Sequence, residues 1–201
     1  MVQLSSELII GEGNSRMCYL HPDSPDKIIK IEKVQNVDNY KPNNKIEDIY
    51  MQFLISSGKD LSLLPKYYGI VDTNLGKGII FEKIKNSDNS EIFSFKEAII
   101  KQYFSQSISH DLLVKLIQYL RKNLILFVDI SFDNILCRKN NDTYELIIID
   151  GLGSRKLKLN FWLNMKFKFL AKRKVLKQTK KMFEQYQIML LNLNNKIEII
   201  L

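Results

Sequence analysis

The chain has 201 residues, 45% of them hydrophobic and 26% charged, with a formal net charge of +8, a composition that excludes a mainly disordered protein and needs no disulfide or metal staple to fold. Cys18 and Cys137 form no CxxC pair and two histidines, His21 and His110, leave a structural zinc site short of ligands, so both thiols are expected to be reduced in a cytoplasmic protein. No apolar run approaches the length of a membrane span, and MVQLSSELII has no basic region ahead of an apolar core, so neither a span nor a signal peptide is expected.

Residues 7–10 and 17–20 read as strands on either side of the turn cluster Gly11-Glu12-Gly13-Asn14-Ser15. A second turn cluster at 21–26 leads into an isoleucine-rich strand over 27–32. The period then changes: Ile46, Ile49, Tyr50, Phe53 and Leu54 predict an amphipathic helix over 44–57, with Gly58 as its C-cap. Two further strands, 66–71 and 78–84, complete a five-stranded sheet carrying one helix. Helical patterns follow at 95–104 and 110–121, and then short apolar strands at 124–127 and 145–149 with acidic residues between them. A β-rich part followed by a helical part with acidic strand ends predicts two lobes around a cleft, with the smaller lobe over 1–84 and the other over 85–201.

The residues that carry chemistry lie along that cleft in a fixed order. Gly11-x-Gly13 alone fits an ordinary hairpin turn, and a lysine on a strand, such as Lys30, is usually just solvated. Glu47 on the next helix has apolar residues beneath it, and its carboxylate would face Lys30, aiming the ammonium at phosphates. Asp129-x-x-x-x-Asn134 is followed sixteen residues after Asn134 by Asp150-Gly151, behind the apolar run 146–149. Phosphoryl transfer needs a carboxylate near the acceptor hydroxyl and oxygen ligands for magnesium; Asp129 fits the first role, Asn134 and Asp150 the second. Each alone also fits a turn-capping residue. A carboxylate that ends a buried strand needs a partner, which favours a site.

The order Gly11-Glu12-Gly13, Lys30, Glu47, Asp129 to Asn134, Asp150-Gly151 resembles the protein-kinase-like superfamily. More closely, Gly11-x-Gly13-x-x-Arg16-x-Cys18-Tyr19-x-His21-Pro22, the glycine-rich stretch from Pro65 to Gly78 and Asp150-Gly151-Leu152-Gly153 resemble the bacterial YrbL family of PhoP-regulatory-network proteins, from about residue 8 to about residue 183. A more distant similarity reaches bacterial kinases of lipopolysaccharide core sugars. The resemblance implies a compact α+β, kinase-like fold: a small five-stranded N-lobe with one helix and a reduced helical C-lobe. It implies ATP and Mg2+ as cofactors. Gly11 and Gly13 would admit the phosphates, Lys30 would contact them, Glu47 would hold Lys30, and Glu82 to Ile84 would form the hinge under the adenine. Asp129 would be the base, and Asn134 and Asp150 would bind magnesium. Arg16 replaces the third glycine of the usual loop and would either reduce the loop's flexibility or supply a phosphate contact instead.

Other departures bear on the acceptor. Phe127-Val128 stands where kinases usually have His-Arg, Ser131 where Ser/Thr kinases place a lysine, and Leu152 replaces the Phe of Asp-Phe-Gly. No Ala-Pro-Glu segment follows, so a non-protein acceptor is expected, such as a sugar or lipopolysaccharide-type molecule. The alternative is a kinase-like regulatory module with little or no turnover.

The excess charge sits in one place. Residues 151–183 hold eleven Lys or Arg and no Asp or Glu, and the rest of the chain carries 19 basic and 22 acidic side chains. Trp162, Met165, Phe169, Leu176 and Phe183 at helical spacing predict an amphipathic helix whose apolar face closes the small lobe's core. A basic helix of this kind also suits an anionic membrane face or a phosphorylated acceptor drawn to Arg155 and its neighbours. Its aromatics read as packing residues, which disfavours a nucleic-acid role.

Overall fold

The computed structural model of the chain describes residues 1–33 and 43–198. The short N-terminal strands β1 (Ile9–Glu12), β2 (Arg16–His21) and β3 (Ser24–Glu32) are joined by tight turns, and after α1 (Asn43–Ser56) the chain adds β4 (Tyr67–Thr73) and β5 (Gly76–Glu82). The five strands form one antiparallel sheet in the order β1-β2-β3-β5-β4. β3 is therefore central. Its alternation sends Ile29 and Ile31 into a small apolar cluster with Leu4 and Tyr19, and turns Lys30 to the opposite face, toward α1. The helix buries Ile46, Tyr50, Met51 and Leu54 at the predicted period.

The second part comprises β6 (Phe93–Ser94), α2 (Phe95–Ile100), α3 (Gln106–Asn123), β7 (Ile135–Asn140), β8 (Thr143–Ile148), α4 (Leu159–Lys166) and α5 (Lys168–Glu198), with β6-β7-β8 in a small antiparallel sheet. Leu112, Leu113, Leu116, Ile117 and Leu120 of α3 are buried as their spacing requires, in a core shared with α1, β7 and α5. Among the described residues, no helix is long and apolar enough to cross a membrane.

Four expectations are corrected here. The helix expected over 95–104 ends at Ile100, where Gln102 takes a positive φ, and Ser105 starts α3 by accepting a hydrogen bond from the Ile108 amide at 3.3 Å. Residues 124–127 are not a strand. Leu124 is the left-handed cap of α3, and Phe127 makes only a single bridge, to Leu152; a buried apolar connection has the same composition as a buried strand. β7, mixed in polarity, went unpredicted. The basic C-terminal helix is two helices with a break at Phe167, and the break resets the phase of the apolar stripe. Trp162, Phe169 and Leu176 are exposed, whereas Phe161, Val175, Met182 and Tyr186 are buried. α5 packs against α3 and α4, so its apolar face closes the core of the helical lobe instead of the small lobe.

Candidate active site

Strand pairing sets the first part of the site. Cys18 is the cross-strand partner of Lys30, and Arg16 lies two residues before Cys18, so all three project from one face of the sheet. α1 lies over that face and supplies Glu47 and, one turn earlier, Asn44. The Lys30 ammonium is 3.2 Å from Glu47 Oε1, donates to the Ile149 carbonyl at 2.7 Å and lies 4.5 Å from the centre of the Phe81 ring. Arg16 forks between two carboxylates: Nη1 donates to Glu47 Oε2 and Nη2 to Asp150 Oδ1. Asn44 fixes the arrangement by accepting from Arg16 Nη1 at 3.2 Å and donating to the Lys30 carbonyl at 2.9 Å.

Two cations and two carboxylates thus balance in a confined space, with the side chains of Arg16, Lys30 and Glu47 less than a tenth exposed and that of Asp150 41% exposed. Burial would push the Asp150 carboxyl up, but the positive charges of Lys30 and Arg16 and the Arg16 and Gly151 hydrogen bonds outweigh it and hold the pKa down at about 2. Burial opposes the Arg16 charge as well, and Glu47 and Asp150 reverse that, raising its pKa.

Backbone contacts set the second part. The Gly151 carbonyl accepts from the Val128 amide at 2.8 Å and the Asp129 amide at 3.1 Å, pinning the loop that carries Asp129 against the segment that carries Asp150. The approach requires glycine: Gly151 has φ +85°, and a Cβ there would lie 2.9 Å from Asp129 Cβ. Asn134 donates from Nδ2 to the Asp129 carbonyl at 3.0 Å, and its own carbonyl receives the Ile149 amide at 2.9 Å. The Asp129 carboxylate is exposed and its Oδ1 is held by Arg155 at 2.9 Å.

These side chains line two adjoining cavities. The first, about 390 Å³, takes in Gly11, Gly13, Arg16, Lys30, Glu82, Ile84, Asn134 and Asp150. The second, about 350 Å³, takes in Arg16, Glu47, Asp129, Asp150 and Arg155. Every residue expected at the site from the sequence lines one of the two, and Arg16 and Asp150 line both. Asn44 was not expected at the site, although its position three residues before Glu47 puts it on the same helix face.

The donor set suits magnesium. Asp150 Oδ1 is occupied by Arg16 and by the Gly151 amide at 2.5 Å, while among the described residues Oδ2 makes no hydrogen bond, and Asp150 and Asn134 both line the first cavity. Two protein oxygens fit an ion that keeps several waters and takes its other ligands from phosphates. Among the described residues, no three His, Cys, Asp or Glu side chains gather into a cage of their own.

A five-stranded antiparallel sheet with one helix, set over a helical lobe whose loops carry Asp129, Asn134 and Asp150, is a protein-kinase-like fold. A chain in the solved structure of the CAK complex from Chaetomium thermophilum bound to ATP-gamma-S shares it, with TM-score 0.50 and 18% identity over 71% of this chain. The match spans 44% of that chain, less than half its length. Within this fold the protein belongs to the family described as PhoP regulatory network protein YrbL, which matches residues 2–187. It is 28% identical over 160 residues to the YrbL proteins of Escherichia coli (strain K12) and Shigella flexneri, covering 78% of this chain and 76% of each relative.

Proposed function

We propose that the protein is an ATP- and magnesium-dependent phosphotransferase acting on a hydroxyl of a non-protein acceptor, of the sugar or lipopolysaccharide type. The observation that carries this reading is the placement of Asp150 and Arg16 in the wall between two cavities: one holds the Gly11–Gly13 turn and Lys30, the other Asp129. A nucleotide fits the first cavity with its adenine against Glu82 to Ile84 and its phosphates toward Lys30, whose ammonium Glu47 keeps in line. Asp129, with Oδ1 held by Arg155 and Oδ2 without a hydrogen bond among the described residues, would orient an acceptor hydroxyl and take its proton. Magnesium held by Asn134 and Asp150 would neutralise charge on the transferred phosphoryl group. The fold neighbour's ATP analogue lends support.

Titration calorimetry with ATP and magnesium is the test. Wild type should bind, Asp150→Ala should not, and Asp129→Asn should bind nucleotide without supporting transfer. Absence of binding in the wild type overturns the proposal. A second reading, a kinase-like regulatory module with little or no turnover, is favoured by one observation: Arg16 occupies Asp150 and Lys30 is spent on the Ile149 carbonyl, so the groups meant for metal and phosphate engage each other. Nucleotide binding without transfer to any acceptor in fractionated extract would establish it.

A further inference from the structure

We infer that Arg155 is a catalytic residue of the proposed phosphotransfer: its guanidinium holds Asp129 by one nitrogen and receives the transferred phosphoryl group of ATP on the others. The inference rests on the phosphotransferase reading and adds to it the cation of the acceptor side.

The second cavity is short of free positive charge. Three carboxylates, Glu47, Asp129 and Asp150, line it against two guanidiniums, Arg16 and Arg155. Arg16 is spent: Nη1 donates to Glu47 and Asn44, and Nη2 to Asp150. Lys30 belongs to the first cavity, where Glu47 and the Ile149 carbonyl engage its ammonium. The loop that carries Asp129 has no Lys or Arg over 129–134, and Ser131 turns its hydroxyl back on that loop, accepting from the Asp133 amide at 3.3 Å. A phosphoryl group moving from the first cavity toward Asp129 brings its negative charge between two carboxylates, and that repulsion must be offset. Asn134 and Asp150, through the magnesium they would hold, cover the leaving side. On the acceptor side, the cation with donors to spare among the described residues is Arg155.

The contacts of Arg155 suit that task. Nη2 donates to Asp129 Oδ1 at 2.9 Å, and among the described residues Nη1 and Nε make no hydrogen bond. A guanidinium presents its remaining N–H groups in one plane, a geometry that matches phosphate oxygens. Its backbone is fixed from both sides. Gly153 donates its amide to the Leu126 carbonyl at 2.9 Å and lies against the Tyr50 ring, and the Ser154 hydroxyl donates to the Lys156 carbonyl at 2.8 Å and accepts from the Lys156 amide at 3.3 Å. The side chains of Arg155 and Asp129 are 70% and 59% exposed, so their ion pair adds little to folding stability and Arg155 can be replaced without unfolding the chain. In the transfer, the acceptor oxygen bonds to the γ-phosphorus of ATP as its proton goes to Asp129 Oδ2. The bond from that phosphorus to the β–γ bridging oxygen breaks, leaving ADP. Arg155 keeps Asp129 Oδ1 and donates its spare N–H groups to the equatorial oxygens of the group in flight, where the charge is spread.

The test is calorimetric titration of the full chain with ADP and magnesium, without and with aluminium fluoride, which stands in for the phosphoryl group in flight. Aluminium fluoride should tighten ADP binding by the wild type. Arg155→Gln should bind ADP and magnesium within about twofold of wild type, yet lose at least about tenfold of the gain from aluminium fluoride. Lys156→Gln removes the adjacent exposed cation, which lies outside the second cavity, and should change neither affinity. An undiminished gain in Arg155→Gln, an equal loss in Lys156→Gln, a loss of plain ADP affinity as large as the loss of the gain, or no gain in the wild type overturns the role of Arg155. In each of these outcomes ADP still binds to the wild type, so the phosphotransferase reading stands. Failure of the wild type to bind ADP and magnesium at all rejects that reading, and the role of Arg155 falls with it.

Discussion

Arg16 joins Glu47 to Asp150: one side chain from the second strand holds the carboxylate of the small lobe's helix and the carboxylate that follows the last strand of the helical lobe. Removing it strands Glu47, whose side chain is 6% exposed, with Lys30 as its remaining partner at 3.2 Å. Breaking a buried pair from one side costs about 3 kcal/mol, and replacing both partners by apolar groups costs far less. Arg16→Met should therefore lower the unfolding free energy from urea titration by that order, and Arg16→Met with Glu47→Leu should recover much of the loss. Additive effects of the two changes would show that the pair is energetically idle.

The same contact makes a prediction about the metal. Arg16 Nη2 and the Gly151 amide together occupy Asp150 Oδ1, so any ion that uses both carboxylate oxygens must first displace the guanidinium. Under the proposed function, Arg16→Met should bind ATP at a lower magnesium concentration than wild type, read as the midpoint of a magnesium titration at fixed ATP. A midpoint that moves upward would instead make Arg16 a phosphate contact, as its place in the glycine-turn motif suggests.

Acid should weaken this junction over a definite range. The Asp150 carboxyl is held at about 2, below its ordinary 3.8, because the charges of Lys30 and Arg16 overcome its burial. A depressed carboxyl stabilises the folded state fully above the unfolded value and loses that contribution as pH falls through the folded one. The stability difference between wild type and Asp150→Asn, from urea unfolding, should be flat at neutral pH and shrink between about pH 4 and pH 2. A difference that grows on acidification would mean that the carboxylate is destabilised in place.

How much of this was legible depended on whether the relevant force was local. Period-2 alternation around Ile29 and Ile31 puts Lys30 on the opposite face of a strand, and period-3.6 spacing puts Glu47 on the helix that covers it; both can be read within a dozen residues. Asp150 was legible because a carboxylate that ends a buried apolar run needs a partner, and Asp129 and Asn134 because their order and spacing ahead of it resemble those of kinases. The double pairing of Arg16 was not legible, because its partner Asp150 lies 134 residues away and only the closed fold brings them together. The exposed Trp162 and Phe169 were misread for a different reason. Composition does not reveal the break at Phe167, and the stripe drawn through it takes in the exposed Trp162, Phe169 and Leu176 beside Met165 and Phe183, which do pack against the core.

A second link between the lobes runs through Tyr50, and its strength can be measured without any ligand. Tyr50 of α1 is 1% exposed; its hydroxyl accepts the Leu126 amide at 2.7 Å, and its ring lies so close to Gly153 that a Cβ there would come within 2.9 Å. Burial pushes its phenol above the ordinary value, so the neutral hydroxyl is the form that makes the bond. Tyr50→Phe preserves the ring and its packing and leaves only the Leu126 amide without a partner. An orphaned buried donor costs about 2 kcal/mol, which for a chain of this length lowers the melting temperature by about 4–8 °C. Tyr67→Phe is the control. Tyr67 is half-buried and its hydroxyl bonds Asp48, which water can solvate once the phenol is gone, so its loss should be less than about 1 kcal/mol. Calorimetric melting of the two variants side by side decides the matter: equal shifts would mean that the Tyr50 hydroxyl does not support the 126–129 loop, and that the Gly151 and Asn134 contacts hold Asp129 in position without it.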